Sequence, residues 1–419
     1  MAIVVGVSTR TAWIVAIMTA TACVAPKRSQ APAPVPAAPE AARLAADELH
    51  RSGIVVDTHN DVTQRLTLED ADLSRPFPDA QTDIPRMQAG GLDAEFLSVW
   101  VPPELYPGDK AYTYSTAQFD AIDRLVSRNA GVAVLARSVS EIRSAAHANK
   151  IAFLIGVEGA HGLGDVPDEQ LIARLHEFYD RGARYMTLTW SNSNRLGGSS
   201  GDAGKTRGLT PFGVRVVSVM NELGMIVDIS HVSDSTFFDA VKASTKPVLA
   251  SHSSSRAICD HPRNMTDDML RAVRDNGGAI CVNFGQDFLD PGWHKQWAVL
   301  QQSLGAEIRD IAKEHPGDPK AMELAFLPRY RALAAQIPRV PASRVVDHIE
   351  HIAGVAGVDH VCLGSDFDGI PFGPAGLDDV SKFPFITEEL SRRGFLPNDI
   401  RKILGENVLR VLAANEKRP

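Results

Sequence analysis

Short apolar, β-rich runs recur along the chain near 54–57, 94–101, 151–157, 184–190, 224–230, 247–252, 278–283 and 360–365. Near-continuous apolar runs of this length, bounded by polar and glycine positions, read as strands buried on both faces. Between most of them the pattern changes to a helical period. Gln118 to Asn129 places Phe119, Ile122, Leu125 and Val126 on one side of a helix, and Asp168 to Arg181 does the same through Leu171, Leu175 and Phe178. Thr210-Pro211 offers an N-cap and a first-turn proline for a helix to Leu223, which Gly224 stops. Ser233 opens a helix to Lys242, and Thr266 with the acidic pair Asp267-Asp268 opens one to Arg274. Alternation of strands and helices with short connections implies a parallel sheet. Eight such repeats imply an α/β fold, a (β/α)8 TIM-type barrel.

One connection breaks the rhythm. Residues 285 to 345, between the seventh and eighth strands, contain two helix-like stretches, Trp293 to Lys313 and Met322 to Ala335. A structureless loop of that length does not suit a barrel, so the expectation is a helical insertion over its mouth. Substrate closure and contact within a homodimer are both open to it.

The first residues stand apart from this pattern. Arg10 precedes an apolar stretch, Trp13 to Met18, followed by Ala20-Thr21-Ala22-Cys23. The stretch is too short for a membrane-spanning helix and suits a signal peptide over 1–22. Cys23 after small residues resembles the lipobox of bacterial lipoproteins, in which that cysteine is acylated; the plain alternative is an ordinary signal peptide. Residues 23–43, rich in Ala and Pro from Lys27 to Ala42, read as an extended tether, and 44–419 as the barrel domain. The protein is therefore expected to be exported, in the periplasm or cell envelope, touching membrane only through a lipid on Cys23. A formal charge of −8 without a basic cluster argues against nucleic acid as a partner. Cys259, Cys281 and Cys362 are odd in number and widely spaced, so they are read as small core hydrophobes with no disulfide among them.

The chemistry sits where the apolar runs end. His59 and Asp61 follow the first run, Glu158 closes the third, and His231 and His252 close the fifth and sixth. Residues two apart on a strand share a face, so His59 and Asp61 can grip one ion together. Ligands at the carboxyl ends of several strands converge on the face where parallel barrels do chemistry. Any one of these residues alone would be a hydrogen-bonded core or surface group. Three imidazoles and two carboxylates at one barrel end are costly to bury without a cation, and they are the ligands zinc prefers at catalytic sites. The set holds two Zn2+ ions, with Glu158 as the bridge because it has two oxygens and lies between the pairs in chain order. A hydroxide between the ions would be the nucleophile. Asp366, in Gly364-Ser365-Asp366-Phe367-Asp368-Gly369 after the last strand, is placed to carry the proton, while Asp368 before Gly369 belongs to a turn.

Five segments match a family in order. Val56-Asp57-Thr58-His59-Asn60-Asp61, Gly156-Val157-Glu158-Gly159, Ile229-Ser230-His231-Val232-Ser233, Ser251-His252-Ser253-Ser254 and Gly364-Ser365-Asp366-Phe367-Asp368-Gly369 resemble the membrane (renal) dipeptidase family of zinc peptidases. The resemblance spans nearly the whole body and includes Arg263-Asn264. It implies a (β/α)8 barrel with two zinc ions, one on His59 and Asp61, the other on His231 and His252, and Glu158 shared. It further implies that Asp366 carries the proton and that Arg263 binds the terminal carboxylate of a dipeptide, a role that suits a guanidinium's paired donors. The bland alternative for Arg263 is a surface salt bridge. One position departs. Animal members read Leu-Thr-Leu-Thr-His after the fourth strand, with the histidine touching the substrate carbonyl, and this chain has Trp190 in that place. An indole donates one hydrogen bond and cannot carry a proton, which bears on substrate range and leaves the metal ligands untouched.

Other features keep their ordinary meaning. His161, His348, His351 and His360 match no ligand position and are read as helix or loop histidines. Gly197 to Thr206 looks like a phosphate loop, but its first glycine misses the GxxxxGK[ST] spacing and no helix follows, so it is read as a flexible rim of the site. The sequence thus points to an exported zinc dipeptidase, and the family resemblance implies that its action extends to dipeptides with a C-terminal D-residue. The alternatives are a zinc hydrolase of another small amide or lactam, which Trp190 encourages, and a binding lipoprotein without turnover, which retention of the ligands and Asp366 opposes.

Overall fold

In the computed structural model, which describes residues 40–202 and 207–417, nine strands form one all-parallel sheet. They are β1 Val56–Asn60, β2 Ala94–Trp100, β3 Ala133–Leu135, β4 Ile151–Glu158, β5 Ala183–Thr187, β6 Ile226–Asp228, β7 Leu249–Ala250, β8 Ala279–Val282 and β9 Val361–Leu363. Eight run in the order β1-β2-β4-β5-β6-β7-β8-β9. The ring closes where Asn60 bridges Phe367, with Asp61 N donating to Phe367 O at 2.8 Å and Asp366 N to His59 O at 3.0 Å. The barrel expected from eight apolar runs is present, and each run supplies one of its strands.

β3 is the strand that periodicity misses. Its three residues, Ala133-Val134-Leu135, lie between two helices and pair with the first half of β4, from Ile151 to Phe153. β5 pairs with β4 farther along, from Ile155 to Val157. A segment this short carries too little alternation to be read.

The strands alternate between two cores. Val56, Ala94, Phe96, Leu154, Tyr185, Ile226, Leu249 and Ala279 fill the barrel interior, while Leu97, Val99, Phe153 and Ile155 face the helical layer. Val408, Leu409, Val411 and Leu412 of the last helix, Asn407–Asn415, join the interior cluster. That helix also bonds through Asn407 to Val361 O and through Asn415 to Pro247 O, at the starts of strands, and so seals the end away from the site.

Cys281 and Cys362 correct an expectation. They are directly opposite on β8 and β9 and form a disulfide inside the barrel. Eighty-one residues separate them, and spacing alone gives no sign that their strands are neighbours. Cys259 is free and buried, as expected.

Helix ends follow the capping residues closely. Pro211–Leu223 begins after Thr210, whose side chain accepts from Gly213 N, and ends at Gly224, with φ at +83°. Ser233 and Thr266 cap Asp234–Ala243 and Asp267–Asn276 in the same way. The helix read from Gln118 is longer, Asp109–Arg128, because its first half buries Ala111, Tyr114 and Ser115, residues that periodicity undercounts. Glu40–Ser52 is helical, so the body begins within the stretch assigned to the tether. The signal peptide, Cys23 and the rest of the tether lie outside the described residues.

The insertion is helical. Gln286–Leu289, Pro291–Glu314 and Pro319–Ala334 precede Ser343–Ala356, the helix that returns to β9. Pro319–Ala334 reaches across the barrel end. Tyr114, on the helix after β2, donates to Glu323 at 3.0 Å, and Arg331 donates to Asp79 O in the β1–β2 connection. Among the described residues no helix is long and apolar enough to cross a membrane.

Candidate metal centre

Glu158 is the last residue of β4, and its two oxygens face different imidazoles. Oε2 lies 3.7 Å from His59 Nε2, while Oε1 lies 2.9 Å from His231 Nε2 and 3.5 Å from His252 Nε2. Asp61 Oδ2 is 3.6 Å from His59 Nε2, and Asp366 joins the group formed by His59 and Asp61. All five expected ligands therefore meet in one buried cluster, with Asp366 at its β1 edge. β1 shifts register between Asp57 and Asn60, an irregularity of the kind that re-aims side chains beside active sites. His231 and Asp366 have φ of +65° and +63°, a left-handed backbone that costs non-glycine residues on the order of 1 kcal/mol and is kept where a site needs it. Gly369 lets the chain pass, since a Cβ there would stand 2.1 Å from Asp61 Oδ2 and 2.6 Å from Asp366 Oδ1.

Neighbouring groups set the histidine tautomers. Tyr185 Oη donates to Thr58 O at 3.0 Å, so its 2.8 Å contact with His59 Nδ1 requires the imidazole to donate. Ser251 Oγ donates to Asp228 Oδ2 at 2.7 Å and lies 2.8 Å from His252 Nδ1, which must likewise carry the proton. In the neutral ring each Nε2 then turns a lone pair into the cluster, the state a metal requires. His59 Nε2 and Asp61 Oδ1 are buried and lack any hydrogen-bond partner. Burial opposes a charge on His59, yet Tyr185, Glu158 and Asp61 outweigh it and hold its pKa well above the usual value. Burial would also raise Glu158, but His59, His231 and His252 hold it well below the carboxylate range. The cluster draws positive charge, and its imidazole and carboxylate donors fit divalent zinc.

Asp366 is in the opposite state. Burial, opposed by the charge of His59 and reinforced by the negative charges of Asp61 and Glu158, pushes its pKa well above the carboxylate range. Asn283, at the end of β8, donates to its Oδ2 at 2.8 Å. Asp368 takes the turn role expected of it, exchanging hydrogen bonds with the Gln81 backbone N–H and side-chain carbonyl.

Arg263 is buried and directed back toward the cluster. Its Nη2 donates to His252 O at 3.1 Å, its Nη1 reaches Ser253 Oγ at 3.4 Å, and Nε has no partner. No carboxylate pairs with it among the described residues, so the surface salt bridge does not apply. Its backbone N–H donates to His261 Nδ1, which leaves Nε2 of that ring protonated and facing Asp287 at 3.4 Å. His294 also meets Asp287, at 2.8 Å. This second cluster is thus a hydrogen-bonded latch between the Arg263 loop and the insertion.

Trp190 stands at the wall, its ring 6.3 Å from that of His231 and 4.9 Å from that of Trp100. His161, His348, His351 and His360 bind Val101 O, Leu289 O, Asp267 and Gly278 O, and none of them joins the ligand set. The glycine-rich loop corrects its reading in part. Ser199 and Ser200 are buried, and Ser200 N donates to His231 O at 2.8 Å, so this part props a ligand; residues 203–206 lie outside the described residues.

Sequence reasoning missed Tyr185, Asp228, Ser251 and Asn283. Asp228 carried a signal, a carboxylate inside the apolar run before His231. Tyr185 left its trace at Gly156, where a Cβ would stand 1.9 Å from the tyrosine ring.

The family model for membrane dipeptidase, peptidase family M19, matches residues 43–418. The chain belongs to this family. An uncharacterized dipeptidase of Schizosaccharomyces pombe is 34% identical over 391 residues, covering 88% of this chain and 82% of its own length. Dipeptidase ataJ of Aspergillus terreus is 32% identical, covering 85% and 83%. The crystal structure of the probable dipeptidase PvdM from Pseudomonas aeruginosa superposes with a TM-score of 0.74 at 25% identity, covering 90% of this chain and 99% of that one. The protein is a metallo-dipeptidase of the M19 family, and its barrel is the fold of its relatives.

Proposed function

We propose that the protein is a binuclear zinc dipeptidase, acting on small dipeptides that include those with a C-terminal D-residue. The observation that carries this reading is the division of Glu158, one oxygen toward His59 and the other toward His231 and His252. His59 and Asp61 would hold one ion, His231 and His252 the other, and Glu158 both. When bound, such ions supply Lewis-acid chemistry, making water acidic near neutral pH and polarising a carbonyl. Asp366, at the edge of the cluster beside His59 and Asp61, would carry the proton to the leaving amine. Arg263 binds the substrate's terminal carboxylate with the donor capacity that its bonds to His252 O and Ser253 Oγ leave unused. Trp190 forms a side wall.

Metal analysis tests the reading. The purified protein should carry about two divalent ions per chain, and chelation should abolish dipeptide hydrolysis. Full turnover with a single ion would overturn the binuclear assignment. Export belongs to the same proposal, because a disulfide between Cys281 and Cys362 suits an oxidising compartment. If Cys23 is acylated, the protein partitions with membranes and Cys23→Ser releases it or blocks processing. A soluble mature form with an unmodified Cys23 thiol would leave only the ordinary signal peptide.

A further inference from the structure

We infer that the mouth contains a subsite for a cationic side chain on the N-terminal residue of the dipeptide, formed by Trp100, Trp190 and Glu323. The inference rests on the reading of Arg263 as the holder of the terminal carboxylate. Arg263 follows β7, and in the ring order β2 is four strands away in either direction. A dipeptide with its carboxylate on Arg263 and its peptide bond at Glu158 therefore extends its N-terminal residue toward β2.

Two tryptophans and a carboxylate wait on that side. Trp100 is the last residue of β2, lies in register with Glu158, and shares the inward face of its strand with Ala94 and Phe96. Its ring packs 4.9 Å from that of Trp190, making an aromatic wall beside the metal ligands. Gln64, one turn beyond Asp61, binds Trp100 O at 2.9 Å, and Tyr114 Oη joins Gln64 Oε1 at 3.2 Å to Glu323 Oε2 at 3.0 Å. The insertion thus brings Glu323 over the rim of β2, linked to the Trp100 backbone through Tyr114 and Gln64.

Glu323 lacks a counter-charge. Its Oε1 is buried without a hydrogen-bond partner, and no cation pairs with it among the described residues. The two arginines of its helix turn elsewhere, Arg329 to Glu307 and Glu314 and Arg331 to Asp79 O. Burial pushes its carboxyl up to about 7 despite hydrogen bonds from Tyr106 and Tyr114. A buried carboxylate in this state gains most from a cation, and aromatic faces beside it favour the same ligand. An ammonium on a flexible chain, as in a lysyl or ornithyl residue, satisfies both.

The test compares kcat/KM of the metal-loaded enzyme for Lys-Ala, norleucyl-Ala, Ala-Lys and Ala-norleucine. Lys-Ala should exceed norleucyl-Ala by on the order of tenfold, with no such ratio between Ala-Lys and Ala-norleucine. Glu323→Gln, which keeps an acceptor for Tyr114, should bring the first ratio to about one. Near-equal rates for all four overturn the subsite and leave the Arg263 orientation standing. A cationic preference confined to Ala-Lys overturns both. An equal fall for Lys-Ala and norleucyl-Ala in Glu323→Gln means that the residue only latches the insertion. Failure to hydrolyse any of the four removes the small-dipeptide reading and the subsite with it.

Discussion

Two glutamates on neighbouring strands are both buried, yet the barrel treats them in opposite ways. Glu158, at the mouth end of β4, has three imidazoles around its oxygens and is held well below the ordinary carboxylate range. Glu95, on the helix-facing side of β2, has no hydrogen-bond partner on either oxygen. Burial drives it well above that range, with Asp57 and Asp368 adding to the shift and His59 opposing it. The flank disfavours charge on its acid. The mouth favours charge on its acid and turns the Nε2 atoms of three imidazoles toward it. Burial alone therefore does not mark a functional carboxylate; the partners set around it do.

The largest break in this contrast comes from the mouth. His231→Ala removes one partner of Glu158 Oε1 and should leave about one ion per chain with nearly all hydrolysis lost. Metal content and turnover measured on the same preparation decide it, and retention of two ions would remove His231 from the ligand set.

Arg263→Ala comes next. A substrate carboxylate that loses a buried guanidinium should cost on the order of 2–5 kcal/mol in kcat/KM, with metal content unchanged. Dipeptide amides lack that charge and should be little affected. Because Arg263 also ties down the chain at His252 O and Ser253 Oγ, an equal loss on acids and amides would assign it to holding the loop.

The sequence shows the ligands more clearly than what holds them. His59, Glu158, His231 and His252 each interrupt or end an apolar run, and a polar residue at that point has little packing reason to be there. Thr210, Ser233 and Thr266 announce helix starts because a cap is a local interaction. Tyr185 reads as an ordinary strand aromatic, and its hydroxyl matters only because β1 brings His59 beside it. The Cys281–Cys362 bond is equally a product of closure, since nothing local says that β8 and β9 are neighbours. Glu95 looks like any strand acid, and its isolation appears only once helices cover the β2 flank.

Tyr185→Phe tests the support directly. The phenyl ring fills the same space, but His59 Nδ1 loses its acceptor and Nε2 its fixed lone pair. Loss of such an outer partner should lower metal affinity by about 10–100-fold. Competition with a chromophoric chelator measures this without assaying turnover. Unchanged affinity would mean that the cluster itself sets the tautomer.

Glu95→Gln is expected to have the smallest effect on metal binding and turnover, and it addresses the flank alone. A carboxyl whose folded pKa lies above its ordinary value of 4.5 favours the fold while protonated, and this advantage is lost as pH rises toward the folded value. Glutamine keeps nearly the same shape and never ionises. The stability of Glu95→Gln relative to wild type should therefore rise above pH 4.5, by at most about 1.4 kcal/mol per pH unit, and level off once wild-type Glu95 ionises in the fold. Asp57 and Asp368 titrate nearby in both proteins, so urea midpoints of the pair at matched pH remove most of their contribution. A difference that stays flat from acid to neutral pH would show Glu95 with an ordinary pKa, and the contrast with Glu158 would then reduce to position on the barrel.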